Sequence, residues 1–198
     1  ELLPRIGAPY FFMSQRLNLG LYQPDVNVIL DLMPHDLSII CYLFGKPIVS
    51  AQTMSFAAAG LPQQDFAHAN VVLEGGLRGL VTASWLSPFK VRQFFIVGSK
   101  GMLVYDDTQV MEKVKFFDKG IQFDGGQPLA PDKAYTSLIS YRSGDLYSPA
   151  IADEEALAVE MREIAETLDS QSKRDSYQAL TLNIMSSLET VLSGARSG

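Results

Sequence analysis

An acid and a histidine stand four residues apart in Asp31-Leu-Met-Pro-His35, just ahead of an apolar, helix-periodic run that stops at Gly45. Four residues is close to one helical turn. Asp31, His35, Ser38 and Tyr42 therefore share a polar stripe, while Leu32, Ile39, Ile40 and Leu43 turn toward packing. A carboxylate one turn before an imidazole can hold one ring nitrogen and leave the other to take a proton from a substrate. That is a general base in outline. Spacing alone equally admits a histidine that merely hydrogen-bonds near the start of a helix.

Other residues carry weaker chemical signals, each with a plain alternative. Arg16 offers a planar fork to an anionic substrate group, or is an exposed strand arginine. Asn27 suits a sugar hydroxyl or the turn before the helix, and Tyr147 suits a reach over the site or packing on a sheet. His68 alternates with apolar neighbours in Phe66-Ala-His-Ala-Asn70 and has no second ligand at i+2 or i+4, so it reads as a satisfied sheet histidine. Trp85 reads as a core or interface anchor. Cys41, inside the packed helix, reads as a small core residue.

These candidates need a scaffold, and the periodicity predicts one. Residues 10–20 form a strand, followed by a Tyr22-Gln-Pro-Asp25 turn and the helix ending near Gly45. Strands follow over Ile48–Phe56, Phe66–Leu73, Leu77–Leu86, Val91–Val97, Met102–Asp106 and Glu112–Phe117, with Glu74-Gly75-Gly76 and Gly98-Ser-Lys-Gly101 as hairpin connections. Lys119 to Pro149, rich in Gly, Pro and Asp, is predicted to be a long loop. The final third is helical. Leu157, Met161, Ile164 and Leu168 form one stripe and Leu180, Ile184, Leu188 and Val191 another, both expected to cover one sheet face. The expected fold is α+β, with an open, largely antiparallel (mixed) sheet covered by helices on one face. Apolar residues on both alternating sets of the strands between Phe66 and Phe117 leave the second face for self-association.

Several segments together resemble the Gfo/Idh/MocA oxidoreductases, on the side of their C-terminal, substrate-side domain. They are Arg16-Leu-Asn-Leu-Gly20, Asp25-Val-Asn-Val-Ile29, Asp31-Leu-Met-Pro-His-Asp-Leu-Ser38, Tyr42-Leu-Phe-Gly45, Ala83-Ser-Trp-Leu-Ser87, Phe95-Ile-Val-Gly-Ser-Lys-Gly-Met102 and Tyr141-Arg-Ser-Gly-Asp-Leu-Tyr147. They occur in the family's order over most of the chain. Many members carry a second acid three residues after the histidine; here Ser38 stands in that place and Asp36 directly follows His35. The family normally opens with a dinucleotide-binding domain marked by Gly-x-Gly-x-x-Gly. No glycine cluster here has that spacing, and the chain begins at Glu1-Leu-Leu-Pro4 without methionine. Residues 1–198 are thus expected to be a single C-terminal-type domain without its dinucleotide-binding partner.

The resemblance implies hydride transfer between NAD or NADP and a hydroxyl-bearing carbon of a sugar or nucleotide-sugar. His35 would be the acid/base and Asp31 its orienting carboxylate. Arg16, Asn27 and Tyr147 would be substrate contacts, and a homo-oligomer would form through the open sheet face. A lysine from the missing domain also belongs to the family's site, so the isolated chain is expected to be inactive and to bind no cofactor. The alternatives are a non-catalytic self-associating sheet module and a cofactor-dependent glycosidase or lyase of the same superfamily.

Composition fits a single sizeable core: 198 residues, 47% of them apolar. No apolar run approaches the roughly 20 residues that span a bilayer. The one cysteine rules out an internal disulfide and suits a reducing, cytoplasmic setting. A net charge of −6 with scattered basic residues argues against nucleic acid as a partner.

Overall fold

The computed structural model describes residues 1–20, 22–123, 139–151 and 154–196. The fold is α+β, built on an open sheet. In chain order a 3-10 helix (Leu3–Ile6) precedes β1 (Pro9–Leu19), α1 (Val28–Phe44), β2 (Ile48–Phe56), β3 (Phe66–Leu73), β4 (Arg78–Ser84), β5 (Leu86–Gly98), β6 (Met102–Asp106) and β7 (Val114–Phe117). Three short strands follow, β8 (Gly120–Phe123), β9 (Ile139–Arg142) and β10 (Leu146–Tyr147), then α2 (Ala156–Leu168) and α3 (Gln171–Arg196). Eight strands join in the order β10-β7-β6-β5-β1-β4-β3-β2, and β8 pairs separately with β9. The pairings β2–β3, β3–β4, β5–β6, β6–β7 and β7–β10 are antiparallel. The chain divides into two compact units, one of Glu1–Met13 with Arg92–Ala150 and one of Ser14–Val91 with Ile151–Gly198.

In the second unit, α1 forms where the sequence supplies a start, an apolar face and a stop. Asn27 caps it by accepting from the Leu30 amide at 3.0 Å, and Gly45 ends it at φ 63°, its N–H bonded to the Cys41 carbonyl. Val28, Ile29, Leu32, Met33, Leu37, Ile40 and Cys41 are buried on its inner side. Pro34 lies inside the helix and has no N–H to give the Leu30 carbonyl. Leu30 is exposed, so water can take that bond.

The sheet face that α1 and α3 cover carries Thr53, Ala67, Ala69, Val71, Leu73, Val81 and Ala83, all buried. Ser187 of α3 accepts from the Ile48 amide at 2.8 Å and donates to the Asn183 carbonyl, while Thr53 donates to the Val191 carbonyl. These bonds seat α3 on β2. A Cβ on Gly194 would lie 2.6 Å from the Ala51 carbonyl oxygen. Alanine normally gains about 1 kcal/mol over glycine in a helix, but here it must push α3 off the strand, which costs about 1–3 kcal/mol. Gly194→Ala should therefore lower the urea midpoint despite its better helix propensity; an unchanged or raised midpoint would mean that the helix end yields freely.

The other face of β2–β4 is mixed rather than uniformly apolar. Met54 and Phe56 are exposed beside exposed Gln52 and Asn70 and half-buried His68, Leu80 and Thr82. Phe56 and Phe66 stack across the strands at 4.9 Å.

The helical ends depart from expectation. Leu157, Met161, Ile164 and Leu168 do form a stripe on α2, but every one is exposed, from 48% to 69%, and nothing on α2 is buried. Among the described residues, α1 and the C-terminal half of α3 cover sheet, and α2 leans on α3. Lys173 reaches Glu163 and Glu166, and the Tyr177 hydroxyl donates to Glu163 at 3.1 Å. Periodicity showed that the stripe exists but not which way it faces.

In the first unit, β5, β6, β7 and β10 run antiparallel in succession. Phe12, Phe94, Ile96 and Phe116 are buried there with Ile6, and Phe12 stacks on Phe94 at 5.9 Å. The predicted long loop is partly strand, since β8, β9 and β10 all fall within Lys119–Pro149. Residues 124–138 of that stretch lie outside the described residues.

Candidate active site

All of α1's chemistry lies in the second unit. Asp31 is half-buried in the first turn and His35 is exposed one turn later. No described group engages the His35 ring, and Ser38 turns its hydroxyl back to the His35 carbonyl at 2.7 Å. The helix thus presents an imidazole free to meet a ligand, with a carboxylate one turn away on the same side.

Asp31 is held from outside its helix. The Trp85 indole N–H donates to its Oδ2 at 2.8 Å. Trp85 is 4% exposed and sits between β4 and β5, its amide bonded to the Asp65 carbonyl and its carbonyl to the Gly20 amide. Tyr22 meets the indole edge-on at 6.1 Å. The only hint of this in the sequence was that a buried tryptophan needs an acceptor for its N–H.

Asp36 points the other way, is 3% exposed, and anchors the helix to β1. It accepts from the Ser14 hydroxyl at 2.6 Å and from Arg16 Nε at 2.8 Å. Arg16 Nη2 adds a longer bond at 3.5 Å, so the guanidinium faces the carboxylate with two of its nitrogens. Ser14, Arg16 and Asn18 alternate on one side of β1 and supply this edge of the site.

The remaining candidates fall as follows. Arg16 is largely committed to Asp36, leaving Nη1 without a described partner. Asn27 is the α1 cap and also donates to Gln64 at 3.2 Å. Tyr147 belongs to the first unit, where its ring lies 5.3 Å from the Arg5 guanidinium. His68 pairs with the Thr82 hydroxyl at 2.9 Å across β3 and β4. Burial pushes the Cys41 thiol above its ordinary pKa, opposed by a hydrogen bond with Ser187, which keeps it a thiol rather than a nucleophile.

For a nicotinamide cofactor, the test is a cradle of backbone N–H groups at a helix start. Neither the start of α1 nor the glycine turns supply one. The α1 start is closed by the Asn27 side chain, Gly98 and Gly101 close a hairpin on each other, and Gly75 and Gly76 turn between β3 and β4. Among the described residues no cluster of His, Cys, Asp and Glu is placed to hold a metal ion, and no helix is long and apolar enough to cross a membrane.

Residues 13–104, which include Asp31, His35 and Trp85, match the model of the GFO/IDH/MocA C-terminal domain. Solved structures of the same fold cover nearly the whole chain. UDP-N-acetylglucosamine 3-dehydrogenase GnnA from Acidithiobacillus ferrooxidans is 18% identical with a TM-score of 0.71, over 97% of this chain and 55% of that one. The WlbA dehydrogenase from Bordetella pertussis, solved with NADH and UDP-GlcNAcA, is 15% identical with a TM-score of 0.61, over 98% and 55%. An NAD-binding protein from Listeria innocua is 15% identical with a TM-score of 0.59, over 97% and 58%. The chain described here therefore spans just over half the length of these structures. No curated protein matches it.

Proposed function

We propose that this chain is the substrate-binding and oligomerisation half of an NAD(P)-dependent, cytoplasmic oxidoreductase acting on a hydroxyl of a sugar or nucleotide-sugar. Residues 1–198 act in it as one domain of C-terminal type. The reading rests chiefly on the geometry of α1: an exposed, unengaged His35 one turn from a carboxylate that is fixed in place. His35 takes the proton of the substrate hydroxyl, and Asp31 orients the ring and stabilises it once charged. Arg16, through Nη1, and Asn27, through its remaining amide hydrogen, contact the polar substrate beside them; Tyr147 is a further contact candidate in its own unit. The cofactor supplies hydride acceptance, and it is held by polypeptide outside the residues described. GnnA is named for a UDP-N-acetylglucosamine substrate and WlbA was solved with a UDP-sugar acid, which favours the nucleotide-sugar class here too.

The chain has two histidines, His35 and His68, so imidazole resonances report the site directly. Titrating a UDP-sugar should shift the His35 signals saturably and leave those of His68 in place, while NAD alone should move neither. A shift of His68 alone, or no shift at all, would favour a non-catalytic sheet module. A glycosidase or lyase of the same superfamily would share the His35 response and be told apart by its products. Self-association is proposed through the outer face of β2–β4, where Met54 and Phe56 are exposed. Light scattering should give at least twice the monomer mass at micromolar concentration, and Met54→Glu should reduce it; a monomeric wild type would remove the oligomerisation role.

A further inference from the structure

Trp85 is the chain's single tryptophan, and its surroundings exceed what simple burial requires. Three constraints fix it. The main chain is held on both sides, by the Asp65 carbonyl and the Gly20 amide. Asp65 is itself fully buried, with its carboxylate accepting from the Ala58 and Ala59 amides at 2.8 Å each. The indole ring then lies so close to Gly20 that a Cβ there would come within 2.8 Å of Cδ1. Gly20 has no positive φ that would itself demand glycine. Its missing side chain is space for the ring.

The indole delivers its one polar hydrogen to Asp31 Oδ2. An aspartate on a helix face otherwise rotates about two side-chain torsions. A fixed donor on one oxygen sets the plane of the carboxylate and leaves Oδ1 for one further donor. Two such donors are to hand in principle, the His35 ring one turn on and a substrate hydroxyl. Because an indole N–H only donates, it can hold Asp31 as an acceptor without competing for the substrate proton.

We propose that Trp85 is the positioning residue for Asp31, and that Gly20 exists to seat it. The catalytic consequence rests on the reading of Asp31 and His35 as an acid–base pair, whereas the tether itself does not. The competing account is a core tryptophan whose N–H found the nearest acceptor. The two part company in kinetics. Misplacing a catalytic group by about 1 Å can cost on the order of a hundredfold. With Asp31 free to rotate, Trp85→Phe should lower kcat by roughly tenfold to a hundredfold and leave KM within about twofold. In an Asp31→Ala background the same change should add less than about twofold, because there is no carboxylate left to position.

The test uses the active enzyme containing this chain, with Asp31→Ala, Trp85→Phe, the double variant and Gly20→Ala assayed together. Gly20→Ala keeps the tryptophan and displaces the ring, so it answers the question if Trp85→Phe does not fold; its kcat should fall several-fold, again only while Asp31 is present. The tether is read separately from the single indole N–H resonance. Its hydrogen exchange should be slow in the wild type and accelerate in Asp31→Ala. A kcat loss from Trp85→Phe or Gly20→Ala that persists undiminished without Asp31 would overturn the proposal, as would an unprotected indole hydrogen. If Asp31→Ala leaves kcat unchanged while the indole hydrogen is protected in the wild type and loses that protection in the variant, it is the acid–base reading that has failed, and the positioning role falls with it.

Discussion

Replacing His35 by alanine should lower turnover by about 10²–10⁴-fold in the enzyme that contains this chain, with KM changed by no more than about threefold. The asymmetry follows from the role proposed for the imidazole. On the proposed acid–base role, binding a neutral hydroxyl would gain little from His35, whereas proton removal in the transition state would depend on it. His35 is exposed and its ring has no described partner, so folding should move by only about 0.5 kcal/mol or less. Normal stability with collapsed kcat is the expected pair of measurements, from urea denaturation and steady-state kinetics. A variant that turns over at the wild-type rate would remove His35 from the chemistry. A large rise in KM at constant kcat would recast it as a binding group.

The neighbouring acid should behave in the opposite way. Asp36→Ala is expected to destabilise the fold by about 3–5 kcal/mol, because it strands a largely buried guanidinium. Arg16 and Asp36 have side chains 12% and 4% exposed, so solvent screens the pair little. The alanine also removes the acceptor of the Ser14 hydroxyl. Urea unfolding of the isolated chain measures the loss, and replacing Arg16 and Asp36 together by apolar residues of similar size should recover much of it. A loss below about 1 kcal/mol would mean that water reaches Arg16 and the pair is weaker than its burial implies. Two adjacent residues on one helix would thus separate cleanly, one carrying chemistry and the other carrying structure.

Much of this was legible in the chain itself. The α1 helix was marked by a period of apolar residues and a Gly45 stop, both local signals, whereas Asn27 read only as a substrate contact or a residue of the turn before it and proved to be the cap. Ile48–Phe56, Phe66–Leu73 and Met102–Asp106 were readable because alternation and flanking turns are also local. The one-face placement of Asp31 and His35 follows from helix geometry alone, and the family likeness rested on short motifs that include both. Beyond that, partners had to be chosen in three dimensions. The sequence marked Asp36 only as an acid off the active face; its burial against Ser14 and Arg16 depends on where β1 passes. Trp85 finds Asp31 across 54 positions, a pairing no spacing rule contains. β8–β10 hide in a Gly-, Pro- and Asp-rich stretch because strand pairing can hold segments with little intrinsic preference for it. The α2 stripe repeats at helical spacing and still faces outward. Local sequence determined which elements form and which face of each is apolar, since those depend on neighbours along the chain; the tertiary structure decided what each face meets, because that free energy comes from residues far away in it.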